Sequence, residues 1–161
     1  MADTLLWIGL ANLVEDAICI TRLILNGVFD RYPGLRIVSG QLGGMFPFML
    51  GRFDLLYGMY ATVAEKSGIV VTDRASTERY LRRLGDYTDN VYVDTHSMDA
   101  PAIKCAVEVL GHDKVLYGSD YPITPASVGR VADIAKIKLS SMDFYAKQAV
   151  LGGNAASILK I

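Results

Sequence analysis

Three short stretches end apolar runs with side chains that could do chemistry. They are SGQLGG with Gln41, VDTHS with Asp94 and His96, and GSDYP with Asp120. A carboxylate at the tip of a strand can bind a divalent metal ion or act as a general base. Asp is also a common turn and cap residue, so composition alone leaves Asp120 open between a functional and a structural role.

The runs that precede these stretches are typical of buried strands. We predict strands from about Leu35 to Gly40, in NVYVDTH and in DKVLYGS, because each run is short, apolar and rich in β-branched or aromatic residues. The loops that follow parallel strands project side chains into one mouth at the carboxyl ends. Gln41 and Asp120 lie 79 positions apart (120 minus 41). That separation fits two βα units, so we expect both residues on one rim.

Helical patterns separate the predicted strands. Apolar residues at helical spacing predict a helix from Asn12 to about Phe29, with Asn12 as its cap and Glu15 as the capping partner. FPFMLGRFDLLYGMYATVAEKSG predicts a long, heavily covered helix, STERYLRRLG a short helix, and DAPAIKCAVEVLG a helix that Asp99 caps. Asn154 is expected to cap the last helix.

The alternation of helices with short apolar strands predicts a parallel α/β fold. No linker or low-complexity run divides the chain, so residues 1–161 are expected to form a single domain. Closing a (β/α)8 barrel takes eight strands and about 250 residues, whereas three clear strands are predicted in these 161 residues. A small open sheet, a fragment and an assembling half-barrel are all compatible with this pattern. Unpaired sheet edges favour a dimer.

Charge and composition narrow the range of partners and locations. A formal net charge of −1 provides no basic field for nucleic acid. The most apolar stretch is interrupted by Glu15, Asp16 and Arg22, which argues against a membrane span. Cys19 and Cys105 lie far apart in helical apolar patterns, so we expect core thiols and a reducing, cytoplasmic location.

Three runs together carry a resemblance to a known family. From about Thr21 to its end, the chain resembles the C-terminal part of the amidohydrolase-related family, in the runs RLILNGVFDRYPGLRIVSGQLGGMFPFMLGRFD, NVYVDTHSMDAPAIKCAVEVLGHDKVLYGSDYPI and VLGGNAASILKI. That family includes metal-dependent decarboxylases acting on aminocarboxymuconate semialdehyde and γ-resorcylate, and various hydrolases. The resemblance implies a small-molecule substrate, a divalent metal, zinc or manganese, and a (β/α)8 TIM barrel of which this chain is the C-terminal part.

The resemblance also implies roles for two residues at the predicted mouth. The aspartate of GSDYP, Asp120, would close the eighth strand and bind the metal, where it could also relay a proton from bound water. The family's glycine-rich motif opens with a histidine that acts as acid/base or assists the metal, and Gln41 stands at that place here. An amide does not transfer protons near neutral pH, but it can hydrogen-bond a carboxylate or carbonyl group.

Two further residues are candidate substrate contacts. Arg52 in LGRFD matches a family arginine that in some members reaches the substrate carboxylate of a neighbouring subunit, a task that suits a planar guanidinium. A local pair of Arg52 with Asp54 or Asp30 is the alternative. His96 could face the mouth as a rim residue, or it could serve as a structural hydrogen-bonder.

The departures from the family pattern leave two readings of the function. The family's His-x-His pair and its mid-barrel histidine have no counterpart here, since the two histidines, His96 and His112, lie elsewhere. A stable catalytic zinc site uses about three protein ligands. The chain is therefore predicted either to form a metal-dependent hydrolase or decarboxylase with a second copy or a complementary N-terminal half, or to be a catalytically silent half-barrel with a binding or assembly role.

Overall fold

Parallel strands form the centre of the fold, as the sequence predicts. The computed structural model describes residues 5–67, 82–96, 98–124, 134–138 and 140–161. Within these ranges the sheet has three strands in the order β1 (Ile37–Ser39), β2 (Val91–Asp94) and β3 (Val115–Leu116). Both neighbouring pairs are parallel, with Val38 opposite Tyr92 and Val93 opposite Val115. The strands are shorter than predicted at both ends, and the 3-10 turn at His112–Lys114, for example, takes up the predicted start of β3.

Helices connect and cover the strands. The described helices are α1 (Asn12–Leu25), α2 (Val28–Arg31), α3 (Phe46–Ser67), α4 (Ala100–Leu110), α5 (Phe144–Gln148) and α6 (Asn154–Leu159), with a further helical segment over 134–138. Tight 3-10 turns at Gln41–Gly43, Leu84–Asn90 and His112–Lys114 and π-helical turns at Trp7–Ala11 and Ala149–Gly153 join or extend them. The alternation is the parallel βα arrangement predicted from the hydrophobic pattern.

The core lies between the sheet and the helices. Val91 and Val93 point to the same face of β2 because side chains alternate along a strand, and both are fully buried. Ile20 of α1, Phe46 of α3 and Ile103 of α4 pack into the same cluster. Burying each such aliphatic or aromatic side chain stabilises the fold by about 1.5–3 kcal/mol. This packing fixes the height of the strand ends relative to the helices.

α1 begins at Asn12 as predicted, but the predicted capping role of Asn12 is wrong. The residue at the cap position is Ala11, which already has helical backbone angles (φ −63°, ψ −40°), and no side chain caps the helix. Asn12 therefore lies inside a continuous helical path that begins at Trp7. The predicted end is nearly right: α1 stops at Leu25, and Gly27 in the left-handed region (φ 67°) starts α2.

One predicted cap is confirmed and another is wrong. Asp99 caps α4 as predicted, with its carboxylate accepting from the Ala102 N–H at 3.1 Å. Asn154 does not cap α6. Its buried side-chain amide instead donates to the carbonyl oxygens of His112 (2.7 Å) and Val115 (2.8 Å), which ties α6 to the start of β3.

Three further expectations differ from the structure or lie outside it. The long helix α3 forms as predicted, but it is not heavily covered, since Phe48 and Leu55 are exposed. Cys19 is exposed and Cys105 is half-buried, so neither is the core thiol expected. The predicted STERYLRRLG helix lies mostly outside the described residues. No helix in the described part of the chain is long and apolar enough to cross a membrane.

Candidate functional site at the strand ends

A pocket opens at the carboxyl ends of the three strands. Its volume is about 510 Å³. Polar side chains from three strand ends face it, namely Gln41 after β1, His96 after β2 and Asp120 after β3. Apolar side chains, among them Trp7, Ile8, Leu13 and Ile123, also line it. The structure therefore brings Gln41, His96 and Asp120 together, as their positions after parallel strands predict.

The loop after β3 holds the Asp120 carboxylate in the pocket. Asp120 has a left-handed backbone (φ 55°), and its carbonyl oxygen accepts the N–H of Thr124 at 3.0 Å. The Thr124 hydroxyl donates to Oδ2 of the same aspartate at 3.2 Å. The side chain is only 28% exposed, and its Oδ2 lies 3.4 Å from Nε2 of His96. The carboxylate faces the pocket and its histidine, not bulk water.

Gln41 reaches the pocket through an unusually tight turn. Gln41 (φ 52°) and Leu42 (φ 57°) both have left-handed backbones, which cost L-residues about 1–2 kcal/mol each. Gly44 follows with φ 61°, and a Cβ there would overlap the carbonyl oxygen of Leu13. Strain of this kind collects at functional sites and persists only where surrounding contacts hold it. One such contact is the Gln41 N–H, which donates to Oδ1 of Asp94 at 2.9 Å.

Asp94 lies at the centre of the strand ends and behind the pocket wall. Its Oδ1 accepts both the Gln41 N–H and the N–H of His96 at 3.1 Å. Burial raises the pKa of the Asp94 carboxyl, the two backbone N–H groups and His96 oppose that rise, and the nearby charge of Asp120 adds to it. Asp16 on α1 is a second half-buried carboxyl, whose pKa is raised by burial and by the charge of Asp94.

Arg52 lies apart from this pocket. It is exposed on α3 and is not among the described residues that line the pocket. The carboxylates considered as its local partners bind other groups. Asp54 accepts the N–H of Leu84 at 2.6 Å, and Asp30 accepts from Arg82 at 2.7 Å and from a tyrosine hydroxyl at 2.8 Å. The substrate role of Arg52 stays a prediction, since it concerns a neighbouring subunit.

The donor set does not complete a metal centre. Across the ranges that the structure describes, no group of three or more His, Cys, Asp or Glu side chains could hold a metal ion. His96 and Asp120 supply two donors at the pocket, whereas a stable catalytic site uses about three protein ligands. These residues by themselves therefore do not fit a resident divalent metal, and further ligands would have to come from elsewhere.

Sequence reasoning missed several residues of this site. Asp94 was recognised only as a strand end, although its place two residues before His96 is typical of a carboxylate that accepts a nearby backbone N–H. Thr124, four residues after Asp120, belongs to no motif in the sequence. Asp16 stands out in the sequence only as a break in an apolar run. The apolar wall around Trp7 had no signal in the sequence, because it depends on how α1 packs against the strand ends.

Parallel βα units with polar residues at the carboxyl ends of the strands are typical of α/β barrels and open α/β sheets. The amidohydrolase family model matches residues 5–161. The chain therefore belongs to the amidohydrolase family, and the resemblance drawn from its three runs is confirmed.

The relatives of this chain include decarboxylases. It is 30% identical, over 145 residues and 90% of its length, to 2-amino-3-carboxymuconate-6-semialdehyde decarboxylase of Dictyostelium discoideum. The 5-carboxyvanillate decarboxylase structure from Sphingomonas paucimobilis is 31% identical, with a TM-score of 0.66 over 88% of this chain. A 5-carboxyvanillate decarboxylase from Novosphingobium aromaticivorans, solved with manganese and 4-hydroxy-3-methoxy-5-nitrobenzoic acid, is 28% identical, with a TM-score of 0.72 over 92%.

The match covers part of each relative. The chain spans 36% of the length of the Dictyostelium enzyme. It spans 38% of the Sphingomonas chain and 40% of the Novosphingobium chain. The parallel α/β arrangement of the described residues thus corresponds to a portion of a larger decarboxylase fold, and a divalent metal belongs to the family, as the manganese in the solved relative shows.

Proposed function

We propose that this chain contributes the carboxyl-terminal strand ends of a metal-dependent decarboxylase site for a small, unsaturated carboxylic acid. The observation that carries the proposal is the convergence of Asp120, His96 and Gln41 in one pocket that apolar side chains also line. The named activities of the relatives above also support decarboxylation over hydrolysis. An acid with a flat apolar body and a polar end suits a pocket that both apolar and polar side chains line.

The reaction needs one proton at carbon and the loss of carbon dioxide. The proton adds to the carbon that bears the carboxylate, and the bond to that carboxylate then breaks, with its electron pair restoring the unsaturation. Asp120 and His96, 3.4 Å apart, are a titratable pair at the pocket that can hold and deliver that proton. Gln41 orients the substrate, because its amide can hydrogen-bond a carboxylate without exchanging protons.

The described residues supply neither the cation nor the remaining metal ligands. In this proposal Asp120 is the metal-binding carboxylate of this chain. We place the other ligands on a second copy of the chain, so that the purified chain can form the whole site. Arg52, exposed on α3, would bind the substrate carboxylate at a neighbouring subunit, where its planar fork can make two parallel hydrogen bonds.

A second candidate function is binding of a small carboxylate without turnover. It is favoured by the lack of any three-ligand metal group in the described ranges. Gln41 also favours this function, because it stands where the family's acid/base histidine is expected and its amide does not transfer protons.

Carbon dioxide release separates the two candidates. The purified chain is incubated with Mn²⁺ or Zn²⁺ and with γ-resorcylate (2,6-dihydroxybenzoate) or 5-carboxyvanillate. The carbon dioxide released is measured for the unsubstituted chain and for the Asp120→Asn variant. Asn tolerates the left-handed backbone of Asp120, so this change removes the ionisable group while keeping the turn. Asp89→Asn is the matched control, because that side chain is 91% exposed.

We expect release by the unsubstituted chain and by Asp89→Asn, with a loss of at least about 100-fold in Asp120→Asn, the scale of one acid/base group. Saturable binding of either acid, measured by calorimetry, with no carbon dioxide released would contradict the decarboxylase proposal and support the binding function. Release that is unchanged in Asp120→Asn would contradict the role of that carboxylate.

A further inference from the structure

We propose that Asp94 is the positioning residue of this site: its carboxylate holds the ends of all three strands together, so that Gln41 and His96 face Asp120. The contribution to catalysis rests on the function proposed above. The positioning itself is a property of the folded chain and can be measured without turnover.

Two backbone hydrogen bonds join Asp94 to separate strand ends. Its Oδ1 accepts the N–H of Gln41 at 2.9 Å, across 53 positions of sequence, and the N–H of His96 at 3.1 Å, two positions away. The first bond anchors the strained left-handed turn after β1. The second sets the direction in which the chain leaves β2. One oxygen atom therefore orients both pocket residues.

The third strand end packs against the same carboxylate. A Cβ on Gly118 would lie 2.6 Å from Cγ and from Oδ2 of Asp94, so only glycine leaves room for this side chain. The adjacent Thr95 adds two bonds across the strands. Its N–H donates to the Leu116 carbonyl oxygen at 2.9 Å, and its hydroxyl accepts the Gly118 N–H at 3.3 Å. The loop that leads to Asp120 is thus fixed by contact with Asp94 and its neighbour.

These contacts require an acceptor oxygen more than a negative charge. Asp94 is not among the described residues that line the pocket, so it acts through its neighbours. Both hydrogen bonds to its Oδ1 come from neutral backbone N–H groups. An asparagine at this position keeps an oxygen that can accept both N–H groups. A positioning role therefore predicts that Asp94→Asn works and that Asp94→Ala does not.

The test compares Asp94→Asn, Asp94→Ala and Gly118→Ala in the full chain. The first readout is the ¹⁵N chemical shift of the His96 imidazole, which reports its environment beside Asp120. The second is the affinity for 2,6-dihydroxybenzoate, measured by calorimetry. Asp89→Ala, at a 91% exposed side chain, is the matched control. Thermal unfolding of every variant shows which of them are folded.

We expect Asp94→Ala to move the His96 shift and to weaken binding by about tenfold or more, the scale of losing hydrogen bonds to a carboxylate. Asp94→Asn should leave the shift in place and keep the affinity within about twofold. Gly118→Ala should move the shift as Asp94→Ala does, because it displaces the carboxylate without removing it. This third variant keeps the test decisive if Asp94→Ala does not fold.

Two results would overturn the proposal. One is a His96 shift and an affinity that Asp94→Ala and Gly118→Ala leave unchanged. The other is damage by Asp94→Asn equal to that of Asp94→Ala, which would mean that the charge acts directly. A chain that releases no carbon dioxide would refute the decarboxylase proposal, but it would leave the His96 comparison fully readable, so the two failures are distinguishable.

Discussion

Removing the side chain of Asn154 should destabilise this fold more than its position at the start of a short helix suggests. The buried amide donates to the carbonyl oxygens of His112 at 2.7 Å and of Val115 at 2.8 Å. Each such bond contributes about 1 kcal/mol net, and the loss is larger at Val115, whose carbonyl oxygen accepts its bond in the interior, where water does not replace it. We therefore expect Asn154→Ala to lower the free energy of unfolding by about 2–3 kcal/mol.

A matched variant is available elsewhere in the chain. Asn90 makes the same pair of bonds, from its side-chain amide to the carbonyl oxygens of Pro33 (3.0 Å) and Leu35 (2.8 Å), but both bonds are exposed. Water can replace them, so Asn90→Ala should cost about 1 kcal/mol or less. Asn154→Asp should be at least as damaging as Asn154→Ala, because it turns a carboxylate toward two carbonyl oxygens.

Urea denaturation followed by far-UV circular dichroism measures all three variants against the unsubstituted chain. The slope of unfolding free energy against urea should stay constant, so that the midpoint shift reads stability alone. Equal losses in Asn154→Ala and Asn90→Ala would refute the reasoning, because burial would then make no difference. A loss below about 1 kcal/mol in Asn154→Ala would also refute it, since the two lost hydrogen bonds together contribute more than that.

Three other predictions use the same denaturation assay. Gly44→Ala should prevent stable folding, because its Cβ would overlap a backbone carbonyl oxygen of α1. The control Gly51→Ala, with open space around it in α3, should stabilise the fold by about 0.5–1 kcal/mol. A small loss of stability in Gly44→Ala would contradict this prediction. The pKa of Asp30 is lowered by its hydrogen bond from Tyr87 and by a neighbouring arginine. The stability that this carboxylate adds should be present above its unfolded pKa of about 3.9 and be lost as the pH falls through its lower folded value. The difference in unfolding free energy between the unsubstituted chain and Asp30→Asn should therefore shrink in acid, and a constant difference would contradict this prediction. Asp99→Ala should cost about 1 kcal/mol by removing a cap, and no change would argue against that cap.

The sequence carries enough information for the order of elements and for the shared rim. Hydrophobic runs ending in Gln41, His96 and Asp120 identify three parallel strands, and the geometry of parallel sheets then places those three residues at one mouth. This inference needs only local pattern and a general rule of topology. It therefore holds although the strands are as short as Val115–Leu116.

The errors in the prediction have a common physical cause. Asn12 and Asn154 are good cap residues in isolation, but the first lies inside a helical path that began upstream and the second is needed for contacts with β3. Structure outside the local pattern overrode the cap preference in both cases, through the upstream helical turn for Asn12 and through the contact with β3 for Asn154. Asp94 was undervalued for the same reason, because the bond that defines its role comes from Gln41, 53 positions away.

The central claim is that Asp120, beside His96, is the carboxylate that this chain turns toward a divalent cation and its substrate. Mn²⁺ broadens the NMR signals of nearby amides, so a titration of the ¹⁵N-labelled chain tests the claim directly. We expect the strongest broadening at the amides of Gly118, Asp120 and His96, and its loss in Asp120→Asn. Broadening that is centred on other acidic side chains, or that persists unchanged in Asp120→Asn, would contradict the account.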